Sequence, residues 1–271
     1  MTSGSLTYAY AVARDCALLH ASGAITGIAG APVGLVPPDQ NADQNAGLVA
    51  AVSPVPENDF HETALREHLE DLGWLETLAR AHHSVIEELA ARTTVLPLRL
   101  ATVYLDEDRV RAMLRERQAL FLDRLEHLAG HVEMGVKLYV DLAHETAAAP
   151  TPSPEQPLSP GRAYLHHRRA EQDSRDDARR AAEQAAERIA TIARDHAVER
   201  ARHHIQEGEL ATGPGANVSN DAYLVPTAHV PAFRAELTRA TDGLTGVRVD
   251  VTGPWAPYSF ATLPDPGGSS S

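Results

Sequence analysis

From His131 onward the hydrophobic period switches between about two and about 3.6 residues in a fixed order, and that order restricts the fold more than any other feature of the chain. His131 to Leu142 (HVEMGVKLYVDL) alternates as a strand does. Arg162 to Glu209 reads as one long helical segment. Ala178, Ala182, Ala185, Ile189, Ile192 and Ala197 form its seam, with charges of both signs on the other faces. Leu210 to Asn217 reads as a short strand or turn, Ala222 to Pro226 as a strand, Val230 to Thr241 as a helix and Val247 to Thr252 as a strand. Strand, long helix, strand, strand, helix, strand is the split βαβ, or ferredoxin-like, order. Right-handed crossovers then place both helices on one face of an antiparallel sheet. The alanine seam permits close helix contact, so hairpin or coiled-coil packing, including pairing with a second copy of the chain, is a further expectation.

The first half also mixes periods. Leu6 to Arg14 alternates with Leu6, Tyr8, Tyr10 and Val12 on one face, and Leu48 to Val55 is a second strand ended by Pro54 and Pro56. Gly23 to Gly34 reads as short strands joined by tight turns. A helix starts near Phe60, and a second runs from about Leu75 to Arg92 after Gly73, with Leu78, Ala81, Val85, Ile86 and Leu89 as its apolar stripe. Asp106 caps a third, which carries Val110, Leu114, Leu120, Leu125 and Leu128 and ends at Gly130. The expected architecture is therefore α+β in two domains: an N-terminal α+β domain over 1–129 and a ferredoxin-like domain over 130–263. Pro150, Pro152, Pro154, Pro157 and Pro160 mark 147–160 as a linker or inserted loop, and 264–271 as a Pro/Gly/Ser tail is expected to be flexible.

Charge and cysteine usage exclude several classes. Asp and Glu number 37 against 24 Lys and Arg, a formal net charge of −13. That balance opposes binding to nucleic acid or to an anionic membrane surface, both of which need clustered Lys and Arg. Hydrophobic residues make up 43%, enough for a packed core. The single cysteine, Cys16, cannot form an internal disulfide. No stretch reaches the ~18 apolar residues that would span a bilayer, and no signal peptide precedes the first strand, so a cytoplasmic location is expected.

Signals for catalysis, cofactors and metals are missing. Adjacent histidines at His82-His83, His166-His167 and His203-His204 point about 100° apart on a helix and cannot share one ion; they read as solvated polar positions. There is no HExxH, GxSxG, GxGxxG or P-loop pattern. Catalytic residues, cofactor and metal are each expected to be none.

Two segments stand out. VLPLRLATVY (Val95 to Tyr104) sets Pro97 and Arg99 in an apolar run. It reads as an edge or broken strand, because Pro cannot donate to a ladder, with Arg99 either outward or held by a carboxylate or carbonyl. GPWAPYSF places Trp255, Tyr258 and Phe260 within six residues, in a chain with two Trp, seven Tyr and four Phe. This is either a C-terminal lock packed over a sheet or an aromatic contact surface for a partner. Pro97, Arg99, Trp255, Tyr258 and Phe260 are the candidate partner-binding residues.

In order, YAYAVAR (Tyr8 to Arg14), TVLPLRLATVY (Thr94 to Tyr104), VEMGVKLYVD (Val132 to Asp141), GRAYL (Gly161 to Leu165), NDAYLVP (Asn220 to Pro226) and TGPWAPYSF (Thr252 to Phe260) resemble the gas vesicle protein F/L family. The resemblance covers residues 6 to 260. It departs at Leu100-Ala101, where the family pattern continues with Phe-Gly, and at Ala256, where it carries a second Pro. It implies two α+β domains, the second a modified ferredoxin fold, with no catalytic residues and no cofactor. It further implies an accessory or minor structural protein, associated with gas vesicles, that binds the major shell protein and other accessory proteins during assembly. A sheet edge such as the Pro97 strand would suit pairing with a shell subunit by strand addition. A ligand-sensing regulatory protein on a ferredoxin-like domain is the alternative reading from the residues alone, and a hydrolase built from scattered His and carboxylates is a third.

Overall fold

Strand β1 (Ser5–Ala13) is buried on both faces from Thr7 onward, although its large residues alternate. The reason is its place in the sheet. β2 (Gly34–Val36), β3 (Val49–Pro56), β1 and β4 (Val95–Pro97) lie side by side in that order, and β5 (Val103–Tyr104) also pairs with β1. β1 runs antiparallel to β3 along its length, from Ser5 opposite Pro56 to Ala13 opposite Val49, with an irregularity between Ala9 and Ala11.

The computed structural model describes residues 4–21, 24–39, 47–140, 160–205 and 215–262. They fall into two units: Met1–Val132 together with Trp255–Ser271, and Glu133–Pro254. The fold is mixed α+β with two antiparallel sheets. The proline-rich stretch 147–159 and the tail 264–271 lie outside the described residues. No helix among the described residues is long and apolar enough to cross a membrane.

In the first unit, α1 (Ala17–Ala21) follows β1, and β3 leads into α2 (Glu57–Phe60) and α3 (Glu62–His68). The next helix, α4, spans Leu72–Ala90. It starts three residues earlier than the glycine at 73 suggests, because the Asp71 carboxylate accepts from the Gly73 and Trp74 amides and caps the first turn. The single helix expected after Asp106 divides at Arg117 into α5 (Glu107–Glu116) and α6 (Gln118–Leu128). The stretch from Thr93 to Tyr104 is a broken strand: β4 stops at Pro97, and β5 resumes at Val103. The core between sheet and α4 gathers Tyr8, Tyr10, Val49, Val55, Phe60, Leu78, Val85, Ile86 and Leu89.

The second unit begins in β6 (His131–Val140) and continues through α7 (Pro160–His196), β7 (Glu199–Arg202), β8 (Ala216–Pro226), α8 (Val230–Arg239) and β9 (Val247–Trp255). Its sheet has the order β7-β8-β6-β9. Met134, Val136 and Leu138 of β6 and Tyr223 and Val225 of β8 present one face to α7 and α8, whose Ala185, Ile189, Ala193, Phe233 and Leu237 complete the core. The helical reading of 162–209 is corrected here. The helix ends at His196, and Glu199–Arg202 is a strand whose Arg200 and Ala201 sit opposite Tyr223 and Ala222. Of the stretch 210–217, expected as a short strand or turn, residues 210–214 lie outside the described set and Ala216 and Asn217 open β8. Within the chain, Ala185 and Ile189 of the alanine seam pack into the unit's own core, with Ile192 and Ala197 partly buried against it.

Candidate functional site

The two segments singled out in the sequence come together in the first unit. An open cleft of about 620 Å³ is lined by Leu96 to Leu100, Thr102 and Tyr104 on one side, and by Tyr258, Ala261 and Thr262 from the C-terminal block. His82 and His83 of α4, Met113 of α5 and Arg117 and Phe121 around the start of α6 complete its walls. Of the five candidate residues, Pro97, Arg99 and Tyr258 line the cleft. Pro97 is buried and Arg99 exposed. Trp255 does not line it, but packs edge-on against His83 with ring centroids 5.7 Å apart, and is 40% exposed. Phe260 is 1% exposed and acts as an anchor beneath the block, where Arg124 Nε donates to its carbonyl at 2.6 Å.

A buried polar chain holds the cleft's back wall. The Ala101 amide donates to the Tyr8 hydroxyl at 2.9 Å, and that hydroxyl lies 3.0 Å from His82 Nδ1. The hydroxyl can donate to Nδ1 or accept from it, according to which ring nitrogen of His82 carries the proton. Burial pushes the Tyr8 hydroxyl pKa up, against the pull of the Ala101 amide. Burial likewise lowers the His82 pKa to about 4, so the imidazole is neutral near pH 7. The Leu98 carbonyl opposes that shift but does not meet hydrogen-bond geometry with Nε2, which is buried without such a partner. Alongside, Tyr10 bonds to Ser53 at 2.6 Å and accepts from the Ile28 amide at 2.8 Å.

The reading of His82 as a solvated helix position is therefore corrected: it is 4% exposed. Its signal was present, since it falls four residues after Leu78 and three and four before Val85 and Ile86, inside the buried stripe of α4. His83, one position on, is the half-exposed member. It faces Tyr258 (Nδ1 to hydroxyl, 3.0 Å) and Glu87 (Nε2 to Oε1, 3.3 Å).

Strand addition at residues 95–104 is disfavoured by the geometry. β4 offers three residues, Pro97 among them lacks an N–H, and α6 packs against it. What this region presents outward is the side-chain cleft. Its described lining carries Arg99 and Arg117 and no Asp or Glu. Arg117 lies over the Phe121 ring at 6.0 Å, and its charge partly offsets the upward push that burial gives the Tyr104 hydroxyl. Among the described residues no group of three or more His, Cys, Asp and Glu is arranged to hold a metal ion.

Comparison with known proteins places the chain. A family profile described as "Gas vesicle synthesis protein GvpL/GvpF" matches residues 6–262. The chain is 39% identical to gas vesicle protein L of Streptomyces sp. (strain CB03234) over 263 residues, covering 97% of this chain and 95% of that protein. It is 28% identical to gas vesicle protein F of the same strain over 220 residues, covering 79% and 84%. Two crystal structures share the fold. GvpF from Anabaena sp. PCC7120 has a TM-score of 0.64 at 19% identity, covering 98% of this chain and 100% of that one. GvpF from Microcystis aeruginosa has a TM-score of 0.63 at 18% identity, covering 95% and 99%. With its family profile matched from residue 6 to residue 262, the chain belongs to the gas vesicle GvpL/GvpF family.

Proposed function

We propose that this protein is an accessory component of gas vesicle assembly that binds the major shell protein, and with it other accessory proteins, through the first unit. The observation that carries the reading is convergence. Two of the six blocks that mark the family resemblance, around Pro97-Arg99 and around Tyr258, are about 160 residues apart in sequence and line one cleft. A shell subunit exposes apolar surface before it assembles, and a strongly acidic companion that covers it keeps it from associating prematurely. Identity of 39% to an L protein against 28% to the F protein of the same strain supports an L-type role.

The same reading assigns the second unit to a modified ferredoxin fold. Its strand order, with the first strand beside the third and fourth and the second at the far edge, and its two helices on one face support this. Association with gas vesicles inside the cell completes the proposal.

Co-expression with the major gas vesicle shell protein of the same organism tests it. The shell protein is expected to stay soluble and to co-purify with this chain. A folded chain and an expressed shell protein that form no complex would sink the reading.

A further inference from the structure

The described walls of the first-unit cleft bear two arginines and two histidines and no carboxylate, in a chain where acids outnumber bases by 37 to 24. Such a distribution is the reverse of the surface average. Arg99 is exposed, and among the described residues its side chain makes no ion pair. Its backbone, by contrast, is fixed: the Arg99 carbonyl accepts from both the amide (3.2 Å) and the hydroxyl (2.6 Å) of Thr102. The cation is thus mounted on a closed turn at the mouth of a cleft whose floor is apolar, formed by Leu96, Pro97, Leu100, Met113 and Phe121.

We propose that this cleft binds an extended segment of a partner protein in which a carboxylate is flanked by apolar side chains. The carboxylate pairs with Arg99, and the neighbouring apolar side chains fill the floor. A guanidinium takes a carboxylate in a planar, bidentate geometry, and the apolar side chains beside Arg99 add burial that the pair alone does not supply. Repulsion by an otherwise acidic surface adds selectivity, since the described lining of this cleft carries no carboxylate. The inference rests on the reading that the chain acts by binding a protein partner in vesicle assembly.

The probe is an array of overlapping dodecapeptides covering the major shell protein and the other gas vesicle proteins of the same organism. Each acidic residue is also presented as its amide. The full-length chain is expected to be retained by peptides whose Glu→Gln or Asp→Asn versions retain it about tenfold less. Arg99→Glu is expected to lose retention on the same peptides, while Arg99→Lys keeps part of it; Arg99 is exposed, so both variants should melt like the parent chain. Capture that is indifferent to the amide change or to Arg99→Glu overturns the proposal, as does an array with no captured peptide. A melting shift with hexanoate on a blank array assigns the carboxylate to a small molecule and overturns the peptide assignment. Intact shell protein that co-purifies with Arg99→Glu as well as with the parent chain rejects the cleft and leaves the assembly role standing.

Discussion

The backbone amide of Ala101 donates to the Tyr8 hydroxyl at 2.9 Å, from a residue whose φ is +64°. The left-handed conformation costs a residue with a Cβ about 1–2 kcal/mol. Ala101→Gly relieves that strain while adding freedom to the unfolded chain, worth about 0.4–1 kcal/mol in the opposite direction. The net expectation is a gain of about 0.5–1 kcal/mol, read as a higher urea midpoint at unchanged slope. A midpoint that stays or falls contradicts it.

Tyr8→Phe removes the oxygen that joins Ala101 to His82. The half-buried amide and the buried imidazole Nδ1 then lose their shared partner. A loss of about 1–3 kcal/mol is expected. Urea unfolding of the purified variant measures it; a loss below a few tenths would show that this hydrogen-bonded chain contributes little to stability.

The same wall makes stability depend on pH. The His82 pKa is lowered to about 4 in the fold, from an ordinary value of 6.5, because burial disfavours the cation. Between those two values the unfolded chain binds the proton and the folded chain does not. The stability from keeping His82 neutral is therefore complete above pH 6.5 and falls as pH drops toward 4, by up to about 3 kcal/mol. His82→Phe removes this titration. The unfolding free energy of the parent minus that of the variant should decrease from pH 7 to pH 4; parallel curves would exclude His82 as the titrating group.

Much of this wall was legible in the sequence, and the misses have physical causes. VLPLR declared an edge or broken strand because proline cannot donate to a ladder, and it is broken between Pro97 and Val103. The chain through Glu199–Arg202 did not declare itself, since Glu, Arg, Ala and Arg are all compatible with helix and follow a long alanine-rich helix. What makes it a strand is non-local: the pairing of Glu199–Arg202 with Leu224–Asp221. His82 was hidden by the habit of reading histidine as polar, although its spacing from Leu78 and Ile86 put it in the buried stripe. That the Pro97 and Tyr258 segments share a cleft is a long-range fact with no local signal at all.

Gly27 marks a close approach. A Cβ placed there would lie 2.3 Å from the Tyr10 hydroxyl and 3.1 Å from Val33 Cγ2. The Tyr10 hydroxyl cannot swing away cheaply, as it is held by Ser53 and by the Ile28 amide. Gly27→Ala is expected to cost about 1–3 kcal/mol. In the Tyr10→Phe background the obstructing oxygen is gone, so the two substitutions should be less than additive in a double-mutant cycle. Full additivity would show that the clash is relieved elsewhere.

In the second unit the alanine seam of α7 offers a contrast between neighbouring positions. Ala185 is 0% exposed and packs in the core with Met134, Val136 and Phe233. Ala182, three residues earlier, borders an apolar groove with Leu138, Val140 and Val218. Ala185→Leu has to push apart packed side chains and is expected to cost about 1–3 kcal/mol. Ala182→Leu extends into the groove and should change stability by less than about 0.5 kcal/mol. If the seam instead served a second copy of the chain, the parent chain would melt at a temperature that rises with protein concentration, and Ala185→Leu would alter both that dependence and the sedimentation. Urea unfolding and analytical ultracentrifugation of both variants separate the two cases, since steric crowding inside one chain does not depend on protein concentration.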